Sequence, residues 1–324
     1  SKIVSGSIDR TVKVWNLDTG QKLHYFSGHS SPITAVAVTP DGSKIVSGGG
    51  DHMVKVWDVA TGQELLSFHN NGAVIAVAIT PDGCKIVSGD LNDTVKAWDI
   101  ATGQELLSLF DPRLITAVAV TPDGSKLVGG WDNTVKVWNL DTGQELHSLS
   151  DHSSSVTAVA VTPDGSKIVS GSLDQTVKVW DLGNGQELLS LSGHSSCVEA
   201  VAVTPDGSKI VSGSLDQTVK VWDLGNGQEL HSFFGHSSSV TAVAVTPDSS
   251  KIISGSEDGI VKVWDVETGQ EFLSLSDDDY HPLLKLNAVA VTPEGSKLVS
   301  GSWDNTVKVW DLETGKCLTT FIFD

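Results

Sequence analysis

The stretch SGSLDQTVKVWDLGNGQEL occurs twice in this chain, at residues 170–188 and 212–230, inside a longer identity between residues 158–188 and 200–230. Looser copies fill the rest of the 324 residues. Eight tryptophans, each followed by Asp or Asn, mark the copies at intervals of 42, 41, 40, 42, 42, 42 and 46 residues: Trp15, Trp57, Trp98, Trp138, Trp180, Trp222, Trp264 and Trp310. A period of this size indicates an array of one supersecondary unit.

Each unit predicts four short β-strands. The segments VTAVAV, KIVSGS, TVKVWDL and QELLSLS are short and rich in β-branched or apolar residues. The turn sequence TPDG separates the first two strands, and DTG or GNG separates the last two, where glycine favours a positive φ. No segment shows a helical pattern, so the expected fold class is all-β.

The charge of the chain argues against two kinds of partner. It carries 40 acidic and 21 basic residues, a net charge of -19, and this field repels phosphate backbones and anionic lipid surfaces. We therefore expect neither nucleic acid nor membrane as a partner. The sequence also shows no apolar run approaching the roughly 20 residues of a membrane span, and no signal peptide. The cysteines Cys84, Cys197 and Cys317 lie far apart, which favours a reducing compartment and a cytoplasmic location.

The repeat endings resemble those of a known family. Eight VWD, VWN or AWD endings, with Gly28-His29, Gly193-His194 and Gly235-His236 ahead of the next strand, resemble the WD40 β-propeller family over essentially the whole chain. The likeness between units also resembles the highly regular arrays of bacterial multidomain WD-repeat proteins. The family resemblance implies blades of four strands, with strand a innermost and strand d outermost.

The number of blades follows from counting strands. Strands b, c and d occur eight times and strand a seven times, because the sequence begins at a strand b. We expect a single WD40 domain over residues 1–324, with a partial blade at 1–27 and complete blades at about 32–69, 73–110, 114–150, 155–192, 197–234, 239–276 and 285–324. The alternative is seven complete blades plus a partial repeat, although a loose three-stranded piece would expose two apolar faces.

Four blades repeat a set of His, Ser, Asp and Trp. The sets are His29, Ser47, Asp51 and Trp57; His152, Ser170, Asp174 and Trp180; His194, Ser212, Asp216 and Trp222; and His236, Ser254, Asp258 and Trp264. A hydrolase needs one activated nucleophile beside an oxyanion hole, not four equivalent sets. The family resemblance implies instead that His bridges Asp and Ser, and that Ser reaches the indole N–H. We therefore predict structural tetrads and no catalytic residue.

The tetrad is incomplete in the remaining blades. Blade 3 has Asn70 and Asn92 at the His and Asp positions, blade 4 has Asp111 and Gly129 at the His and Ser positions, and blade 8 has Pro282 at the His position. We therefore expect blades 3 and 4 to be locally softer than blades 5 to 7. Neither a metal-binding loop spacing nor a phosphate-binding glycine loop is present, so no metal or cofactor is expected.

The blades differ most where the family resemblance places an outward-pointing residue. This residue precedes the Asp of the turn between strands b and c. Around the chain the position holds Ile8, Gly50, Leu91, Trp131, Leu173, Leu215, Glu257 and Trp303, of which six are large and apolar. Such a set predicts an interaction patch on one face. The alternative is that these side chains fold back and pack on neighbouring blades.

Two neighbourhoods are the predicted partner-binding sites. Blades 3 and 4 combine Ile75, Leu91, Leu114 and Trp131 with Arg113, and Trp and Arg are common interface anchors. The longer loop SDDDYHPLLKLNAV at residues 276–289 adds Tyr280 close to Trp303 of the same blade. The alternative for that loop is a solvated, mobile segment.

The function expected from these features is a non-catalytic scaffold that binds a protein or peptide, as a docking or sensing module of a larger protein. The acidic surface favours a partner with basic residues around an apolar anchor. One alternative is a self-assembling unit whose incomplete first blade captures a strand from another chain. The other is a small-molecule hydrolase with a channel metal, which the small apolar residues of strand a disfavour.

Overall fold

The computed structural model describes residues 2–17, 19–110, 115–276, 285–302, 304 and 306–322, with only the backbone of Asn287. Within these ranges all regular structure is β-strand, and none of these residues lies in a helix. The chain divides into two compact units, Ser1–Ser148 and Leu149–Ile322.

The strands of the first four sheets are short, mostly of six residues. They are β1 Lys2–Gly6, β2 Thr11–Asn16, β3 Lys22–Ser27, β4 Ile33–Val38, β5 Lys44–Gly49, β6 Met53–Asp58, β7 Glu64–His69, β8 Val74–Ile79, β9 Lys85–Asp90, β10 Thr94–Asp99, β11 Glu105–Phe110, β12 Ile115–Val120, β13 Lys126–Trp131, β14 Thr134–Asn139 and β15 Glu145–Leu149.

The strands of the last four sheets also have five or six residues each. They are β16 Val156–Val161, β17 Lys167–Ser172, β18 Thr176–Asp181, β19 Glu187–Ser192, β20 Val198–Val203, β21 Lys209–Ser214, β22 Val219–Asp223, β23 Glu229–Phe233, β24 Val240–Val245, β25 Lys251–Ser256, β26 Val261–Asp265, β27 Glu271–Leu275, β28 Leu286–Val291, β29 Lys297–Ser302, β30 Thr306–Asp311 and β31 Cys317–Ile322.

The strands form eight antiparallel sheets in which neighbours in sequence are neighbours in space. Seven sheets have four strands in the order a, b, c, d, as in β16-β17-β18-β19, and the first has three, β1-β2-β3. This confirms the predicted all-β, eight-bladed β-propeller whose first blade lacks its inner strand. Short TPDG-type turns join strand a to strand b. Their glycine takes the positive φ that the turn requires, as at Gly165 with φ 69°.

The hydrophobic core lies between consecutive sheets. One cluster combines Val177, Val179 and Leu191 of blade 5 with Ile210 and Trp222 of blade 6. The middle strands therefore bury both of their faces, which explains why strands b and c lack the polar alternation of a one-sided sheet. No single blade can bury its apolar faces alone, so each depends on its neighbour.

A glycine in strand b marks a close approach between consecutive blades of the second unit. A Cβ atom at Gly213 would lie 2.6 Å from Cγ1 of Val240, the first residue of the next inner strand. At the equivalent Gly301 of the last blade, a Cβ would meet no atom of a described residue within 4 Å.

We expect Gly213→Ala to lower the free energy of unfolding by about 1–3 kcal/mol, because the added methyl group overpacks the interface between the blades. Gly301→Ala is the matched control and should change it far less. Chemical denaturation of both variants measures the difference. Equal losses in the two variants would contradict this account of the glycines.

Candidate protein-binding face and the hydrogen-bond chains beneath it

A buried chain of hydrogen bonds runs through blade 5. Trp180 Nε1 donates to Ser170 Oγ at 2.9 Å, Ser170 Oγ lies 2.8 Å from His152 Nε2, and His152 Nδ1 lies 2.8 Å from Asp174 Oδ2. When the Ser170 hydroxyl donates to Nε2 and the N–H at Nδ1 donates to the carboxylate, every polar group of the chain has a partner and the imidazole is neutral. The chain thus leads from the core to the surface in one direction.

The same chain occurs in three other blades with similar distances. The other sets are His29, Ser47, Asp51 and Trp57; His194, Ser212, Asp216 and Trp222; and His236, Ser254, Asp258 and Trp264. All four serines of these chains are 0% exposed. The structure therefore brings together each predicted tetrad, and it gives a substrate no access to the serine oxygens.

The aspartate at the end of the chain connects two loops. Asp174 accepts hydrogen bonds from the backbone N–H of Ser153, in the loop before strand a, and of Thr176, at the start of strand c. The loop from strand d to the next strand a is thereby fixed against the turn between strands b and c. We call the surface formed by these loops and turns the b–c face.

The pKa values of two tetrad histidines and of Asp174 lie below their usual values, for different reasons. Burial lowers the pKa of His152 and of His194 below the usual 6.5 and outweighs the facing carboxylates, which raise it. Burial raises the pKa of Asp174, but hydrogen bonds from Thr176, His152 and Ser153 outweigh it and lower this pKa to about 2. Both shifts favour a neutral imidazole facing an ionised carboxylate.

Blade 3 has an interrupted version of the chain. Trp98 Nε1 still donates to Ser88 Oγ at 3.0 Å, and Ser88 Oγ donates to Asn70 Oδ1 at 3.2 Å. The Nδ2 atom of Asn70 is buried and has no hydrogen-bond partner among the described residues. Asp90 fixes the loop instead, since its carboxylate accepts the backbone N–H of Gly72 at 3.1 Å.

Blade 4 replaces the polar chain with an aromatic side chain. Trp131 is 1% exposed, and its ring centroid lies 4.3 Å from that of Trp138. A Cβ at Gly129, the serine position, would lie 2.2 Å from Trp131 Cζ3, so the glycine leaves room for the indole. The expectation that Trp131 projects from the b–c face is therefore wrong.

A difference in register explains the correction. Trp131 pairs with Ile115 in blade 4, as Ser172 pairs with Val156 in blade 5, so Trp131 is the structural equivalent of Ser172. The sequence analysis had aligned Trp131 with Leu173, one residue further along. The turn of blade 4 is one residue shorter, and a one-residue slip moves a side chain to the other face of the sheet. The interval of 40 residues between Trp98 and Trp138 was the available signal.

The sequence analysis also missed a second polar link, between strands c and d. Lys178 Nζ lies 2.6 Å from Glu187 Oε2 and 5.9 Å from the centroid of the Trp180 ring. The five equivalent pairs, at distances from 2.6 to 3.0 Å, are Lys55–Glu64, Lys96–Glu105, Lys136–Glu145, Lys220–Glu229 and Lys262–Glu271. Their constant spacing of nine residues was visible in the sequence.

Four apolar residues project from the b–c face. In the first unit Ile8 is 67% exposed and Leu91 is 54% exposed, while Ile75 is half-buried. In the second unit Leu173 and Leu215 are 38% and 37% exposed. Outside the described residues lie four predicted partner-binding residues, Arg113, Leu114, Tyr280 and Trp303, and two tetrad substitutions, Asp111 and Pro282.

Comparison with known proteins identifies the family. The model of the WD domain, G-beta repeat, matches residues 1–16, 20–58, 62–99, 104–139, 143–181, 185–223, 227–265 and 281–311. The chain belongs to the WD40 family. Each matched repeat except the first and the last covers strand d of one blade and strands a to c of the next, so the family repeat is offset from the structural blade.

Two similar proteins support this membership. The crystal structure of a computationally designed protein, Ika8, has a TM-score of 0.83 and 41% identity, and the match covers 93% of this chain and 90% of that one. The small ribosomal subunit protein RACK1y of Oryza sativa subsp. japonica is 56% identical over 41 residues. That match spans 13% of this WD40 chain and 12% of the rice protein.

The described residues form neither a metal-binding cluster nor a membrane-spanning helix. Within the part of the WD40 chain that the structure describes, no three His, Cys, Asp or Glu side chains form a group that could hold a metal ion. The same part contains no helix that is long and apolar enough to cross a membrane.

We expect acid to weaken the WD40 fold through the buried histidines. Because the pKa values of His152 and His194 lie below 6.5 in the folded state, the unfolded chain binds more protons as the pH falls through that value, and stability decreases. The double variant His152→Asn, His194→Asn should lose about 1–3 kcal/mol per site at pH 7 and flatten the decrease between pH 7 and 5. Denaturant unfolding at each pH measures both effects.

Asparagine is a suitable replacement because blade 3 carries Asn70 at the same position. His69→Asn, at an exposed site, is the control and should leave the pH dependence unchanged. An unchanged slope in the double variant would show that the tetrads are not its source.

We also expect blade 3 to exchange its amide hydrogens faster than blade 6. The interrupted hydrogen-bond chain at Asn70 leaves a buried polar atom unsatisfied, which favours local opening. Hydrogen exchange of β9 and β10 compared with β21 and β22 tests this, and equal protection would refute it.

Proposed function

We propose that this WD40 chain is a non-catalytic scaffold that binds a protein or peptide through the b–c face. The observation that carries the proposal is the contrast within the turn between strands b and c. In four blades the repeated His, Ser, Asp and Trp side chains form buried polar chains, while the residue before the Asp position is exposed and apolar at Ile8 and Leu91 in the first unit and at Leu173 and Leu215 in the second. Exposed apolar sets of this kind mark interaction surfaces.

The second unit supports a partner that combines an apolar anchor with basic residues. Leu173, Leu215 and Glu257 occupy the equivalent position in three consecutive blades, and Glu257 Oε1 accepts a hydrogen bond from Lys285 Nζ at 2.9 Å. Burial, and to a lesser extent the charge of Glu257, raises the pKa of Glu199 at the start of β20. A basic group from a partner would relieve this repulsion between carboxylates.

The proposal also covers the location of the chain and the kind of protein to which it belongs. A cytoplasmic docking or sensing module of a larger protein, of the kind found in regular bacterial arrays, fits the acidic net charge of -19 and the regular repeats. The rice relative is named as a component of the small ribosomal subunit, which is itself a macromolecular assembly. Both features agree with a role in assembly rather than in chemistry.

The test compares two leucines of the same blade. Leu91→Ser removes an apolar residue from the b–c face, whereas Leu106→Ser removes one of similar exposure, 43%, from the outer strand β11. We expect Leu91→Ser to weaken capture of a specific partner about tenfold, the effect of losing roughly 1.5 kcal/mol of apolar contact. Leu106→Ser should have little effect.

The second unit offers the same comparison with Leu173→Ser and the outer-strand control Leu188→Ser, which is 44% exposed in the parent chain. Quantitative affinity capture from the source lysate, with circular dichroism to verify folding, measures all four variants. Loss of the partner in the outer-strand variants alone would place the interface on the rim and contradict the proposal.

A further inference from the structure

The first blade has an open inner edge. Its sheet contains only β1, β2 and β3, so β1 is an edge strand, whereas the strand b of every other blade pairs with an inner strand a. An edge strand presents backbone N–H and C=O groups on which another strand can pair. This edge lies within the first unit.

The sequence of this edge specifies what it pairs with. Residues 2–7 read KIVSGS, identical to residues 167–172, which contain β17. In blade 5 that strand pairs with β16, VTAVAV, with Val161 opposite Ile168 and Ala160 opposite Val169. The same pairing on β1 would set an incoming Val opposite Ile3 and an incoming Ala opposite Val4.

The neighbouring blade is already in position for such a strand. A Cβ at Gly6 would lie 2.5 Å from Ile33 Cγ2, and a Cβ at Gly171 would lie 2.7 Å from Val198 Cγ1. β1 therefore packs on the inner strand of blade 2 as β17 packs on the inner strand of blade 6.

The apolar surface beside the edge is less covered than in any other blade. Val38, the last residue of β4, is 43% exposed, whereas its described counterparts Ile79, Val120, Val161, Val203, Val245 and Val291 are half-buried. A cavity of about 380 Å³ lies here, lined in part by Val4, Val14, Val38 and Val59.

We propose that the open edge of β1 binds an extended polypeptide segment of the inner-strand type, with the pattern VTAVAV followed by a TPDG turn, as a fourth antiparallel strand. The threonine of the segment has a defined role. Thr34 Oγ1 donates to the carbonyl oxygen of Val74 in the next inner strand, and Thr157 does the same with Val198. The incoming threonine would donate in this way to the carbonyl oxygen of Ile33.

A second intact copy of this chain is not the occupant. All seven inner strands among its described residues are already paired within their own sheets. Supplying one of them would open a blade and break a complete ladder of hydrogen bonds. The occupant is therefore a segment whose inner-strand sequence is free to pair.

The experiment titrates the chain with a synthetic peptide of residues 156–165, VTAVAVTPDG. We expect saturable one-to-one binding by calorimetry, together with slower amide exchange in β1. A peptide with Val in place of Thr at its second position should bind more weakly, and one with Pro at its fourth position should not bind, because proline cannot complete the ladder.

Two chain variants locate the peptide. Val38→Lys places a charge at the cavity and should weaken binding about tenfold or more. Because Val38 is already 43% exposed, the fold should tolerate this change. Leu91→Ser on the b–c face should leave peptide binding unchanged, so that this proposal and the proposed function fail independently.

Three results would overturn the proposal. They are no saturable binding to the folded chain, equal affinity for the parent and Val38→Lys chains, and equal affinity for the three peptides. Mass that increases with protein concentration, in the absence of peptide binding, would indicate a second copy of the chain as the occupant. The peptide comparison decides the question even if Val38→Lys fails to fold.

Discussion

A tryptophan buried between two blades carries one N–H group, and that group must find an acceptor away from water. In blade 5 the acceptor is Ser170 Oγ. The Ser170 hydroxyl donates to His152 Nε2, and the N–H at His152 Nδ1 donates to Asp174. The carboxylate ends the chain because backbone N–H groups satisfy it at the surface. Satisfying one indole therefore also fixes two loops, and with them the shape of the b–c face.

Blade 4 does not meet this constraint at every indole. It removes the serine at Gly129 and fills the space with a second indole, Trp131. This exchange leaves one polar group unsatisfied, because the buried Trp131 Nε1 has no hydrogen-bond partner among the described residues. Blade 3 stands between the two solutions, because Asn70 keeps one hydrogen bond and leaves its Nδ2 without a described partner.

The regular part of the structure was predictable because every level of the sequence agrees. The period, the turn residues and the eight Trp-Asp or Trp-Asn pairs all indicate the same four-stranded unit, including the three strands of blade 1. The orientation of Trp131 was not predictable from its repeat position, because one deleted residue reverses the face on which a strand residue lies. Leu91 and Trp131 therefore appeared equivalent in sequence, although one is exposed and the other is buried.

The identity of residues 158–188 and 200–230 presents the folding chain with two copies of the same strand b. β16 can meet β17 across 5 intervening residues or the identical β21 across 47, and the side chains that it would contact are the same. Loop-closure entropy favours the nearer copy by about 2 kcal/mol. The short TPDG turn is thus the main discriminator between native pairing and strand exchange between blades, and loosening it would favour misassembly of the kind that repeat proteins show.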